Sequence, residues 1–284
     1  MLYHLARSYF RGYGEILDLG VFLGASSYCL AHGLEDNTIV AGKSGRLHAY
    51  DLFEVWHEEG QTDEQMAADL RRIFGVDLRP NESTLPIYMA NLGHLARHVR
   101  IHAGDITKMA WSGRPIEILF IDICKTRAIW QHVLKIFFPS LIPGVSVVIH
   151  QDYHHPLLPF LHVAQERLSG YFEIVEPRAN DSAGFLLVDR IPDRVLDEVA
   201  GYEFTPADEL RLMDRAIERI SENHQIQLAK AMLLRQQFKL VEARALLESI
   251  KEREAEFGED RHFNLYVTMT EWYIERDERA ALSA

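Results

Sequence analysis

The run IEILFIDI, Ile116–Ile123, is strand-sized and almost wholly apolar, and Glu15–Leu19, Arg46–Leu52, Val99–Ala103 and Val145–His150 are runs of the same kind. Their apolar residues are continuous, not alternating. A strand of that kind must be covered on both faces, which is the setting of a parallel sheet in an α/β protein. Helical stretches stand between the runs, at Ala25–Leu34 and Arg127–Phe138. Strand and helix in alternation predict a Rossmann-like α/β fold. The pattern then changes. A helix near Leu157–Ser169 leads to Tyr171–Glu176, and after the polar link Pro177–Ser182 comes Gly184–Asp189. Two strands so close together predict a hairpin, so the last strand should run antiparallel to the rest.

Residues 56–95 interrupt the alternation. They are polar and helical in places (EQMAADLRRIF), then irregular (RPNESTLP). We read them as an insertion after the second strand, either a surface excursion or a lid, since loops at strand ends flank the site in such folds. After Pro192 no strand pattern remains. Glu209–Ser221 is amphipathic, Ile226–Gln236 and Leu240–Glu254 read as a helical hairpin, and Phe263–Glu275 as a last helix. The expected division is a domain over residues 1–192 and a helical extension over 193–284. The hairpin faintly resembles one tetratricopeptide unit, but solenoids need about three repeats. The extension is expected to pack on the core or on a second copy of the chain.

Acidic side chains outnumber basic ones, 42 to 30, for a net charge of −12. Such a surface repels phosphate backbones, so nucleic acid is not an expected partner. Cys29 and Cys124, the only cysteines, sit in apolar runs that read as core. They make neither a disulfide framework nor a zinc site, which suits a reducing compartment. The N-terminal stretch lacks an apolar signal segment, and no run reaches the ~18 apolar residues of a membrane span. A cytoplasmic protein without a membrane partner is expected.

The segment ILDLGVFLGASS, Ile16–Ser27, ends a buried strand in Asp18 and places Gly20 and Gly24 at the turn into a helix. Glycine there allows positive φ and close approach of a ligand, and the helix that follows aims free N–H groups at whatever lies above the sheet. The spacing is not the G-x-G-x-x-G of a nicotinamide dinucleotide site. Nor is Gly42-Lys43-Ser44 the tail of a P-loop, because Asn37 stands where the first glycine belongs.

Further motifs follow in order: RLHAYDLF, HAGDI, FIDICK and VVIHQDYHHP. With the glycine turn, this set resembles class I S-adenosylmethionine-dependent methyltransferases over about Gly14–Arg190, in particular the small-molecule O-methyltransferase branch that includes the macrocin and caffeoyl-coenzyme A types. The resemblance implies a mostly parallel seven-stranded sheet ending in an antiparallel hairpin. It implies a first motif, acidic-x-Gly-x-x-x-Gly-x-Ser, formed by Asp18, Gly20, Gly24 and Ser26, whose loop holds the methionine part of the cofactor. Asp51 would take both ribose hydroxyls. Gly104 and Asp105 would border the adenine, and Asp122 would complete the cofactor set.

The resemblance also implies a divalent metal, Mg²⁺, on Asp122, Gln151 and Asp152, a hard-oxygen donor set. Here the chain departs from its relatives: D-I-C-K replaces D-A-D-K or D-G-x-H, and Gln151-Asp152 replaces D-N or D-D. Histidine titrates near neutrality, and His150, His154 and His155 cluster at one strand end, so His154 or His155 is a candidate base. Asp152 and Lys125 complete the candidate catalytic set, and His150 can instead alternate into the core.

The expected activity is methyl transfer from S-adenosylmethionine to a hydroxyl of a small molecule, a sugar or natural product by resemblance. The competing expectation is a degenerate methyltransferase fold that binds without catalysis and uses its helices as an interaction module. A nicotinamide oxidoreductase is disfavoured by the glycine spacing.

Overall fold

The computed structural model describes residues 1–55, 62–79, 81–220, 224–253 and 261–282. The chain divides into two compact units, residues 1–123 with 140–142, and residues 124–139 with 143–284. Its strands form a seven-stranded sheet in the order β3-β2-β1-β4-β5-β7-β6.

In the first unit the strands are β1 (Glu15–Leu19), β2 (Leu47–Asp51), β3 (Val99–Ala103) and β4 (Ile116–Ile121). β1 pairs in parallel with β2 and with β4, and β3 pairs in parallel with β2. Every residue of β1 and β4 is buried, as continuous apolar runs require. The helices are α1 (Leu2–His4), α2 (Ala25–Glu35), α3 (Asp63–Asp69) and α4 (Leu85–Leu92). α2 buries Ser27, Leu30, Ala31 and Leu34, the spacing of one helical face. Cys29 lies off that face and is exposed, so only Cys124 of the two expected core thiols is buried.

In the second unit the elements are α5 (Arg127–Ile136), β5 (Val147–His150), α6 (Pro159–Arg167), β6 (Phe172–Ala179) and β7 (Ser182–Leu187), then α7 (Asp193–Gly201), α8 (Pro206–Arg219), α9 (His224–Gln236), α10 (Leu240–Lys251) and α11 (Arg261–Leu282). β7 runs antiparallel to both β5 and β6, as the hairpin reading predicts. The polar link is shorter than expected. β6 continues to Ala179, and the turn is only Asn180 and Asp181, with Asn180 at φ +57°. Asparagine tolerates that left-handed conformation better than most residues.

From residue 193 on, α7 packs on α5, and α8 and α9 pack on α6. Arg167 makes a two-pronged bond to Glu198, 2.7 and 2.8 Å. Glu166, only 2% exposed, meets Arg215 at 3.2 Å and Arg219 at 3.0 Å. A buried carboxylate needs such partners, because an uncompensated charge there is costly. α9, α10 and α11 share a core of Leu228, Leu247, Ile250, Phe263 and Ile274. No helix among the described residues is long and apolar enough to cross a membrane.

His150 on β5 and His162 on α6 are buried, and loss of hydration pulls them down to about 4 and about 3 respectively. Free histidine titrates near 6.5. The unfolded chain therefore takes up these protons first, and the stability the two rings contribute is complete above about pH 6.5 and declines as pH falls toward 4. By pH 5 each ring costs about 2 kcal/mol. Asp18, described below, opposes this trend. His162→Phe is therefore expected to flatten the fall of Tm between pH 7 and pH 5. An unchanged slope would mean that the ring is solvated in the native state.

Candidate active site

The glycine turn is built on Asp18. Its carboxylate is fully buried and accepts from Ser26 Oγ, 2.9 Å to Oδ2, and from Ser27 Oγ, 2.6 Å to Oδ2. Burial pushes the carboxyl up to about 7, the Ser27 and Ser26 hydroxyls pull it down, and the charges of Asp122 and Asp51 raise it further. The side chain thus ties the first turn of α2 to the end of β1 and has no solvent face. Ser27, absent from the sequence motif, is an equal partner in that tie.

Gly20 and Gly24 meet two separate demands. Both have positive φ, +91° and +96°. A Cβ on Gly20 would stand 2.7 Å from the Asp122 carbonyl oxygen, on the neighbouring strand's backbone. Gly24 is the left-handed residue immediately before α2.

Asp51 sits at the end of β2, half-buried. Its Oδ2 accepts from the N–H groups of Val21 and Phe22, both at 2.9 Å, and its Oδ1 accepts from Phe53 N–H at 2.7 Å. Phe22 and Phe53 both hold positive φ, +44° and +53°. Such conformations cost non-glycine residues energy and persist where the surroundings enforce them, often at functional sites. One carboxylate therefore organises both loops. A carboxylate offers about four lone-pair positions, and three are in use here. Sequence reasoning placed Asp51 at the site but gave no sign of this second task.

Gly104, at φ +131°, donates its N–H to the Asp51 carbonyl, 2.9 Å. Asp105 caps the short turn that follows, accepting at Oδ1 from Thr107 N–H (3.0 Å) and Thr107 Oγ1 (2.7 Å). The Thr107 hydroxyl, its N–H and Lys108 hold the Asp105 carboxyl below its ordinary value. Asp122 follows β4, and its N–H donates to Leu19, 2.7 Å.

The second unit carries the remaining candidates. The Lys125 ammonium is paired with Asp152 Oδ2. Gln151 Oε1 accepts from Ser182 Oγ at 2.8 Å, and His154 N–H donates to the Asp181 carbonyl at 3.0 Å. These bonds join the end of β5 to the hairpin turn. The two neighbouring histidines are placed differently. His154 is fully buried, with Nε2 3.0 Å from the Pro177 carbonyl. His155 is half-buried, and its Nδ1 accepts from Leu157 N–H at 3.3 Å. A neutral ring that accepts at Nδ1 carries its proton on Nε2. Loss of hydration lowers the His155 pKa, with Asp152 raising it, Lys125 lowering it and Asp181 raising it.

Helix α11 adds two residues for which the sequence held no signal. The Tyr266 ring packs against His155 at 5.0 Å between centroids, and its hydroxyl donates to Asp181 Oδ2 at 2.7 Å. His262 Nδ1 stands 3.6 Å from the same oxygen.

The expected metal donors do not fit a divalent ion as they stand. Lys125 already supplies the cation beside Asp152, and the Gln151 oxygen is engaged by Ser182. Among the described residues no group of three or more His, Cys, Asp and Glu side chains is disposed to hold a metal ion.

Residues 17–152 match a family model described as a methyltransferase domain. Two solved structures are similar to the chain. One is the O-methyltransferase NovP, 18% identical, covering 62% of this chain and 72% of that one, with a TM-score of 0.45. The other is the calicheamicin methyltransferase CalS11, 16% identical, covering 62% and 73%, with a TM-score of 0.42. No curated protein matches the chain.

Proposed function

We propose that this chain is a class I S-adenosylmethionine-dependent methyltransferase, a reading supported by the match of residues 17–152 to a methyltransferase domain model, and that it methylates a hydroxyl group of a small molecule. The observation that carries this reading is the Asp18–Gly20–Gly24–Ser26 turn. Its two glycines have the positive φ the motif demands, and Asp18 bonds the very serine the motif specifies. Gly20, Gly24 and Ser26 would hold the methionine part of the cofactor, with Asp18 fixing their conformation. Asp51 would accept a ribose hydroxyl at its one remaining lone-pair position, Gly104 and Asp105 would border the adenine, and Asp122 would line the cofactor site. When bound, the cofactor supplies an electrophilic methyl carbon that needs no further activation.

The chain must then orient the acceptor hydroxyl and take its proton. Asp152 is the proposed proton acceptor. Lys125, beside it, would stabilise the oxyanion as it forms and do there what a metal ion would do elsewhere. His155 would donate through Nε2–H and so orient the acceptor oxygen. His154, with its ring engaged inside the hairpin, has no part in this scheme.

S-adenosylhomocysteine at about 100 times its dissociation constant should stabilise the protein by about 2.7 kcal/mol, a rise of several degrees in Tm, with NAD inert. Asp51→Asn should weaken that binding by about tenfold or more, since hydrogen bonds to a charged group are worth about 1.5–3 kcal/mol. A response to NAD and none to S-adenosylhomocysteine would overturn the reading. Unchanged affinity in Asp51→Asn would displace the ribose from Asp51.

A further inference from the structure

Residues 56–95 read in the sequence as an insertion, a surface excursion or a lid, and within it α4 grips the glycine turn from outside. The Tyr88 ring is fully buried and fills the space where Gly24 has no side chain; a Cβ there would stand 2.9 Å from the ring. The Tyr88 hydroxyl donates to Ser27 Oγ at 2.9 Å, and Ser27 in turn donates to Asp18. One turn further along α4, Asn91 Nδ2 donates to the Leu23 carbonyl at 2.9 Å. The Tyr88 ring also stands edge-on to Phe53, 5.2 Å between centroids, and Asp51 holds the N–H of that same Phe53. Thus α4 touches the turn just before Gly24 and just after it, and meets the facing loop as well.

We propose that Tyr88 and Asn91 are positioning residues for the amino-acid arm of S-adenosylmethionine. They act through the Gly20–Ser27 turn and have no need to touch the ligand. The proposal rests on the reading of that turn as the cofactor-binding turn.

Each bond has a definite task. A serine hydroxyl in the first turn of a helix has competing local partners. By accepting the Tyr88 proton, Ser27 keeps its own O–H directed at Asp18. Gly24 at φ +96° is free to adopt other conformations, since glycine has no side chain to forbid them. The Asn91 bond to Leu23 holds the peptide leading into Gly24 in one orientation. The N–H groups at the start of α2 then stay aimed at an incoming carboxylate.

The test uses calorimetry with two probes. S-adenosylhomocysteine has the amino-acid arm, and 5′-methylthioadenosine lacks it. Tyr88→Phe keeps the ring and removes only the hydroxyl; Asn91→Ala removes only the tether. Each variant should bind S-adenosylhomocysteine roughly three- to tenfold more weakly, the loss of one neutral hydrogen bond. Binding of 5′-methylthioadenosine should stay within about twofold of wild type, because its contacts lie on Asp51 and Gly104. Equal losses for both probes would mean that α4 merely supports the fold, and that overturns the proposal. Unchanged S-adenosylhomocysteine affinity in both variants also overturns it. Failure of the wild-type protein to bind S-adenosylhomocysteine would remove the cofactor reading itself, a different result from either of these.

Discussion

Asp152→Asn is expected to lower turnover roughly a hundred- to ten-thousand-fold while leaving S-adenosylhomocysteine affinity unchanged, the range a general base contributes. The amide has nearly the shape of the carboxylate but cannot take a proton at the working pH. It also leaves the Lys125 ammonium without its anionic partner. Lys125→Met should lower turnover in the same direction by a smaller factor, since the base survives and only the stabilising charge is lost. Formation of S-adenosylhomocysteine with any acceptor that turns over is the measurement. EDTA should leave the wild-type rate intact. Abolition by EDTA and restoration by Mg²⁺ would show that Lys125 leaves Asp152 for a metal during the reaction, and the ion-pair mechanism would fall.

Gly20→Ala is expected to be strongly damaging, because it combines a backbone clash with a left-handed backbone. The added Cβ would lie 2.7 Å from a backbone oxygen of residue Asp122, and that residue is pinned by its own N–H bond to Leu19. The backbone strain at φ +91° adds about 1–3 kcal/mol. A combined loss of about 3–5 kcal/mol, near the top of what single substitutions do, corresponds to a fall in Tm of roughly 10 °C. S-adenosylhomocysteine binding should be lost with it. Gly144→Ala is the control, because φ is +74° there and nothing stands within 4 Å of the new carbon. It should show the strain alone, about 1–2 kcal/mol. Equal effects at the two positions would mean that the strand beside Gly20 gives way, and that the turn is not tightly enclosed.

The strands were legible because burial on both faces leaves an unbroken apolar signature. β1 and β4 show it, and the hairpin of β6 and β7 showed itself by how closely two such runs stand. Other features have no such signature. α4 starts where the stretch that reads as irregular ends, with proline at its first turn, and its aromatic and amide side chains have partners some 60 residues earlier, so nothing local marked it. Asp51 was recognisable by position, but its hold on Phe22 and Phe53 depends on left-handed backbone at residues that give no hint of it. His154 and His155 are neighbours, and only the hairpin decides that one ring is enclosed and the other faces Tyr266. That tyrosine is 111 positions further along the chain, beyond the reach of any local spacing.

The position of α4 bears on how a chain with this fold can change. Loops at strand ends are the usual place for acceptor preference to diverge, since they tolerate replacement without disturbing the sheet. Here the segment between β2 and β3 also carries Tyr88 and Asn91, which brace the turn read as the donor's. On the proposed reading of that turn, replacing α4 together with its loop would therefore also change how tightly the protein grips the methyl donor. A lineage that exchanged this loop would have to carry a tyrosine and an asparagine with it at the spacing seen here, or rebuild the first motif to match.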